Sequence, residues 1–387
     1  MDAAPGISET TKKGLWVTAI GEVDVLSSVN SIRELISFAK KGKFNLIFIQ
    51  VYRGDRSWFH SDVSDSQPYR HNHSVSQVDG LEVLIRRAHK EGIQIHAWIN
   101  TLSLSQNKQA PILQKDGNRI LTKDQHGQTA LREKPPARSG SALGGKGKQD
   151  GHYGTEDQLF LEPGDPHVQR HLIDVVEELA ERYPELDGIH FDYIRYPAAP
   201  PYIPGSRFNS VGLSYGYGEE NVRRFQEATG LDPHHLEADV SLQWDQWKRD
   251  QVTHLLRQAA AHARKIHPAI QISCAVLSAF DRAYLAAGQD WAAWIGEGLV
   301  DFVVLMNYST DSNYVRWMTL SAIGMAGDSS KILVGLGAHL MSDSPELLVE
   351  QVKRVRGLHP GGIVLFDYQV LSKSPLKELL DDPDRLN

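Results

Sequence analysis

Only one cysteine, Cys274, occurs in the 387 residues. A single thiol excludes an internal disulfide, and with it a fold stapled by bridges. It lies inside the apolar run Ile272–Leu277 and reads as a buried structural thiol, since free cysteine is among the most buried residue types. Long apolar runs are also absent. None approaches the roughly 20 residues that a membrane span needs. There is no excess of positive charge: the net charge is −7 and the pI about 6.2. That balance argues against nucleic acid and against an anionic membrane surface as partners. The first residues, Met-Asp-Ala-Ala-Pro-Gly, have no basic region and no apolar stretch, so no signal peptide is expected. A cytoplasmic protein or a trimmed one would both read this way. What remains is 41% hydrophobic and 23% charged, which suits a globular protein with a large core.

Eight short apolar runs recur along the chain: Leu15–Ile20, Asn45–Tyr52, Gln94–Asn100, Asp187–Ile194, Gln271–Leu277, Asp301–Tyr308, Lys331–Ala338 and Gly361–Tyr368. Most are continuously apolar rather than alternating, which marks strands covered on both faces. Helical patterns separate them. Ile32, Leu35, Ile36 and Ala39 share one helix face, as do Leu81, Leu84, Ile85 and Ala88. Asp165-Pro166 reads as an N-cap with proline in the first turn, ahead of the stripe Leu172, Val175, Val176 and Leu179. A long helix is expected over 241–267, and shorter ones near 290–298, 314–326, 345–357 and 373–381. Strand and helix alternating eight times predict an α/β fold of the (β/α)8 barrel type, with a doubly wound open sheet as the competitor. The expected organisation is a tail over 1–13 and one barrel over 14–387, with long insertions after strands 3 and 4 at about 101–164 and 197–240. The stretch 134–154 is rich in Pro, Gly, Ser and Lys and lacks apolar periodicity, so it is expected to be mobile and dispensable for folding.

In such a barrel the chemistry gathers at strand C-termini. The fourth run, Asp187-Gly-Ile-His-Phe-Asp-Tyr-Ile-Arg-Tyr-Pro197, carries His190 and Asp192 on one face and delivers Arg195 just beyond. A carboxylate amid apolar strand residues is costly unless it is paired or used. Asp192 is therefore a catalytic candidate, or else the partner of Arg195 or Arg53. Asp55 and Asp311 are the further catalytic candidates; each has a competing local role, as a turn residue and a helix N-cap respectively. His96, Trp98 and Asn100 share a face of strand 3, and Trp98 is either a sugar platform or core. Asn307 and Tyr308 end strand 6. Asp367 ends strand 8, as a sugar contact or a neighbour's structural partner. His190-x-Asp192 with His96 nearby raises a metal reading, but the spacing is not that of a ligand set, and no metal or cofactor is expected. Gly335 and Gly337 fit close packing at a strand end better than a phosphate loop. This mixture of carboxylates, amides and aromatic rings suits a carbohydrate. Cleaving a glycosidic bond usually takes two carboxyl groups.

These residues carry a family resemblance. Gly14-Leu-Trp-Val17, Gln50-Val-Tyr-Arg-Gly-Asp55, Ala88-His-Lys-Glu-Gly92, His96-Ala-Trp-Ile-Asn100, Glu162-Pro-Gly164 and, most distinctively, Asp187–Pro197 resemble the glycoside hydrolase-like family 10 proteins. These are bacterial and mostly exported or lipoproteins. The resemblance covers nearly the whole chain. It implies a (β/α)8 barrel acting on glycans, some relatives cleaving peptide-free peptidoglycan strands and more distant ones polymeric hexosamines. It carries the fourth-strand aspartate onto Asp192 and the second-strand Gly-Asp motif onto Asp55, although Arg56 follows where a small residue is usual. A periplasmic or extracellular location would go with it if the chain is trimmed. The expectation is a glycoside hydrolase of a bacterial polysaccharide. Asp192 would be its nucleophile or base and Asp55 or Asp311 its acid, while Trp98, Asn100, His96, His190, Arg195, Arg53, Tyr308, Asn307 and Asp367 would hold an oligo- or polysaccharide. The alternative is a catalytically silent barrel that binds glycan as a cell-wall adaptor. Oligomeric state is not legible.

Overall fold

A computed structural model describes residues 11–131, 156–199, 212–235 and 237–382, together with Arg385. Eight parallel strands close into a barrel: β1 Lys12–Val17, β2 Leu46–Arg53, β3 Gln94–Asn100, β4 Gly188–Asp192, β5 Gln271–Leu277, β6 Phe302–Met306, β7 Ile332–Gly337 and β8 Gly362–Phe366. Each pairs with its sequence neighbours, and β1 closes the ring by pairing with both β2 and β8. The open-sheet alternative is excluded by that closure. β1 starts at Lys12, which pairs with Gly362, so the tail before the barrel is shorter than expected. The expected mobile stretch 134–154 lies outside the described residues.

Between the strands run α1 Val29–Lys41, α2 Gly80–His89, α3 Pro166–Arg182, α4 Ala238–Ile266, α5 Trp291–Gly296, α6 Ser312–Ala326, α7 Pro345–Arg356 and α8 Tyr368–Lys373. Their apolar stripes are the ones legible in the sequence. Ile32, Leu35, Ile36 and Ala39 of α1 are buried, as are Leu172, Val175, Val176 and Leu179 of α3. At about 1.5–3 kcal/mol for each fully buried large aliphatic side chain, these stripes dominate the attachment of helix to sheet. Asp165 caps α3 as expected, accepting from the N–H groups of His167 and Val168. The helix expected at 373–381 differs. Ser374-Pro375 interrupts it, so α8 stops at Lys373 and a 3-10 turn covers Pro375–Leu380. Proline has no N–H to continue the helix ladder. Among the described residues no helix is long and apolar enough to cross a membrane.

The two insertions are stitched to each other. Ser103–Ser105 pairs antiparallel with Leu159–Phe160 within the first insertion, and Asp124 of the first bridges Tyr215 of the second. Buried Glu162 accepts from the Tyr196 hydroxyl at 2.9 Å and from the Gly218 N–H at 3.3 Å. The Gly216 N–H donates to the Thr122 hydroxyl. Tyr217, Phe225 and Trp244 form a small core of their own. These contacts fix the loops that leave the C-terminal rim.

Inside the barrel the register stacks side chains in layers. His96 lies opposite Gly188, Trp98 opposite His190, and Asn100 opposite Asp192. Gly188 and Gly335 are glycine for steric reasons. A Cβ on Gly188 would sit 2.4 Å from the His96 ring and 2.8 Å from the Gln271 carbonyl; one on Gly335 would sit 2.7 Å from the Trp16 ring. Gly188→Ala is therefore expected to lose about 1–3 kcal/mol or more, as overpacked cores do. The urea midpoint measures this, and a midpoint equal to the parent's would mean that the His96 ring can move aside.

Candidate active site

Asp192 is the last residue of β4, and its carboxyl points up the barrel. Oδ1 accepts from the Tyr193 N–H at 2.7 Å and Oδ2 from the Trp98 indole N–H at 3.2 Å. Tyr193 has φ +53, outside the strand region, so the chain leaves β4 sharply here and turns its own N–H back onto the carboxyl. The side chain is 7% exposed. Burial raises its pKa to about 6, against the opposing effects of the Arg195 charge and the two N–H donors. Among the described residues, no cation is in ion-pair contact with it.

The expected partner of Asp192 is engaged elsewhere. Arg195, 3% exposed, donates to both carboxylate oxygens of Glu156, at 2.8 and 2.7 Å, and to the Tyr196 carbonyl. Its guanidinium also lies 4.8 Å from the Tyr193 ring centroid. For Glu156, burial alone would raise the pKa, but the charge and hydrogen bonds of Arg195 outweigh it and leave it lowered. Sequence reasoning missed Glu156. A buried arginine calls for an anion, but nothing in the sequence says which of many carboxylates supplies it.

Other expected site residues divide by layer. Asn100 sits beside Asp192 in the top layer, where its Oδ1 accepts from Gln50, which in turn accepts from the Ala19 N–H. Tyr308 is half-buried against Trp16 and Phe366; burial, then the charges of Asp192, Tyr193 and Asp367, push its phenol up, so it stays neutral. Asp367 caps α8 through Val370 and meets the Thr18 hydroxyl at 3.4 Å.

Several expectations are corrected. His96 is fully buried low in the barrel, between Phe48 and Phe302, and burial and the Lys12 charge drop its pKa to about 3. His190 is also fully buried, and burial holds it well below the usual range. Its Nε2 accepts from the Trp16 indole N–H at 3.3 Å, so Nδ1 carries the proton toward the Ser273 hydroxyl at 2.9 Å. Both histidines are packed, neutral interior groups out of reach of a sugar. Asn307 turns outward, donating to the Val315 carbonyl and the Thr319 hydroxyl of α6. Arg53 donates to the Ser105 hydroxyl. Asp311 is exposed and caps α6 through the N–H groups of Asn313 and Tyr314. Asp55 is 0% exposed and holds three elements together: the Tyr52 hydroxyl at 3.0 Å, the Ile112 N–H at 2.9 Å and His171 Nε2 at 2.8 Å. Among the described residues no hydrogen bond or ion pair links Asp55 or Asp311 to Asp192. Among the described residues, no group of three or more His, Cys, Asp or Glu is placed to hold a metal ion.

Two measurements follow. Asp55→Ala strands the Tyr52, Ile112 and His171 donors in a dry site and should cost about 3–5 kcal/mol of stability, without affecting the turnover of the folded fraction. A stable but inactive variant would return Asp55 to the chemistry. Asp192→Asn works in the other direction. A carboxyl raised from 3.8 to about 6 imposes no penalty below pH 4, a growing one between pH 4 and 6, and its full cost above that. The uncharged variant escapes it. It should match the parent near pH 4 and exceed it by up to about 3 kcal/mol at pH 8, read from urea denaturation at both pH values.

Comparison with known proteins agrees with this architecture. The curated glycosyl hydrolase DigH of Escherichia coli K12 is 22% identical over 337 residues, covering 78% of this chain and 66% of that protein. The glycosyl hydrolase YngK of Bacillus subtilis is 20% identical and covers 95% of this chain and 70% of its own. The chain thus spans about two thirds of the length of these relatives. In fold it is similar to the glycoside hydrolase domain of PgaB from Bordetella bronchiseptica, with a TM-score of 0.63 at 15% identity over 96% of this chain and 98% of that one. The catalytic domain of a Paenibacillus polymyxa β-amylase gives 0.59 at 13% identity, over 96% and 97%. Residues 12–321 match the sequence profile of one family, and the chain belongs to it: Glycosyl hydrolase-like 10.

Proposed function

We propose that this protein hydrolyses a glycosidic bond in a bacterial polysaccharide, with Asp192 as the group that protonates the leaving oxygen. The observation that carries this reading is a buried carboxyl at the end of β4, without an ion pair among the described residues and held by two N–H donors; burial pushes its pKa up to about 6. Such a carboxyl stays protonated up to about pH 6, well above an ordinary aspartate, keeps its proton in roughly a tenth of molecules at pH 7, and can give it up, which is the requirement for a general acid. Acid therefore suits Asp192 better than the nucleophile or base expected from the sequence. Once the proton has left, the Trp98 and Tyr193 N–H groups and the nearby Arg195 charge stabilise the carboxylate that remains.

Most glycosidases use a second carboxyl group. Glu156 is committed to Arg195, while Asp367 has no ion pair among the described residues and its charge, like that of Asp192, reaches Tyr308. Asp367 is the carboxylate we assign to the opposite side of the scissile bond. Half-buried Tyr308 supplies a ring face and Asn100 an amide contact to the sugar, while Trp98, 4% exposed, is core and holds Asp192 through its indole N–H. The family resemblance favours a hexosamine polymer such as peptidoglycan glycan strands, and with it work in the periplasm or outside the cell.

Turnover is tested on peptide-free glycan strands. Asp192→Asn should lower it by about a thousandfold, roughly 4 kcal/mol of barrier, while binding survives. In the parent, kcat/KM should fall about tenfold per unit above pH 6, as the acid loses its proton. A glycan-binding adaptor would bind the strands and release no product at any pH. Near-parental turnover by Asp192→Asn would remove Asp192 from the chemistry.

A further inference from the structure

Arg195 follows Asp192 by three residues, and its charge reaches the Asp192 carboxyl. A buried guanidinium has donors and no acceptor, so it settles on the nearest available anion. Two carboxylates are candidates. Glu156 wins through geometry: its two oxygens take Nη1 and Nη2 in the fork arrangement that suits arginine best, at 2.8 and 2.7 Å. The Ala198 N–H also donates to Glu156, at 3.2 Å, on the same Oε2 that takes Nη1. Tyr193 and Phe160 cover the guanidinium, with ring centroids at 4.8 and 5.9 Å. Among the described residues Arg195 Nε is buried without a hydrogen-bond partner, so the side chain keeps a donor to spare.

We infer that Glu156 is a positioning residue for Asp192: by clamping both terminal nitrogens of Arg195, it keeps the guanidinium off the Asp192 carboxyl and leaves that carboxyl free to carry a proton. This rests on the reading of Asp192 as a proton donor, and extends it to a residue that acts through another. Without Glu156, Asp192 becomes the anion that Arg195 finds. An Asp192–Arg195 pair would be ionised at neutral pH and useless as an acid.

The other groups around Asp192 do not compete for this role. Trp98 of β3 and the Tyr193 backbone donate neutral hydrogen bonds. The Tyr193 and Tyr308 phenols and the Cys274 thiol are all raised, by burial first, and stay neutral; the Asp192 charge adds to each. Asp367 is felt at Tyr308, beyond the carboxyl. Arg195 is the cation acting on Asp192, and Glu156 neutralises it.

The experiment follows the Asp192 carboxyl directly, by carbon-13 NMR titration of the full chain labelled at aspartate, with Asp192→Asn identifying the signal. Glu156→Gln keeps the shape and removes the charge. Its Asp192 midpoint should fall by about one unit or more, the usual effect of an unscreened neighbouring cation. The Glu156→Gln/Arg195→Gln double variant removes both charges and should restore the midpoint to the parent's value or above. It also supplies the test should the single variant fold poorly. On peptide-free glycan strands, the basic limb of kcat/KM should move down with the midpoint. An unmoved midpoint in Glu156→Gln, or a double variant displaced as far as the single one, overturns the inference. A midpoint that moves while no activity responds upholds the role of Glu156 and instead overturns the catalytic reading of Asp192.

Discussion

Closing eight parallel strands into a ring leaves an interior only wide enough for side chains. Every residue that points inward must then be apolar or find a partner there, because an unpaired polar group in such a place costs several kcal/mol. The lower layers meet this demand with Phe48, Phe302, Trp16 and two neutral histidines. Trp16 and Ser273 satisfy His190. Among the described residues His96 has no hydrogen-bond partner, and it rests against rings on either side, in room that Gly188 leaves open. The filled floor pushes whatever chemistry the barrel does to the top layer, where Asn100 and Asp192 meet the mouth.

At that top layer the same scarcity of partners becomes useful. Asp192 is dry enough to resist ionisation and has two N–H donors to fix its orientation, yet among the described residues no counter-ion of its own. Arg195 is drier still and has a counter-ion from a segment more than thirty positions upstream. Pairing sorts these groups into an inert ion pair and a titratable acid. The stitched insertions make the sorting possible: Glu162, Tyr196 and Gly218 tie the loop after β4 to the segment that carries Glu156.

Much of this was legible in the residues. The eight apolar runs, the helix stripes and the Asp165 cap each depend on local periodicity or local hydrogen bonding, which a linear sequence displays directly. The prominence of Asp192 was legible for the same reason: an acidic residue in an apolar strand stands out. The errors share a cause as well. Asp55, Asp311 and Asn307 end strands or begin loops, as site residues do; the helix N-cap was one of the two readings open for Asp311, but which way Asp55 and Asn307 turn is not displayed along the chain. Asp55 turns down to His171 and Ile112, Asn307 outward to α6, and Asp311 to the first N–H groups of its own helix. His96 and His190 were placed on the correct face but at the wrong depth.

Sequence alone therefore determined where the strands and helices lie along the chain, the faces, and the carboxyl at the end of β4, because period and propensity are properties of neighbours along the chain; the closed order of the strands was decided by the fold. Tertiary structure decided depth, partnership and charge state. Whether Arg195 met Asp192 or Glu156 depended on distances of a few ångströms between segments far apart in sequence. That choice, which leaves Asp192 without an ion pair among the described residues and its pKa raised by burial to about 6, is set by the closed barrel and the packing of its loops.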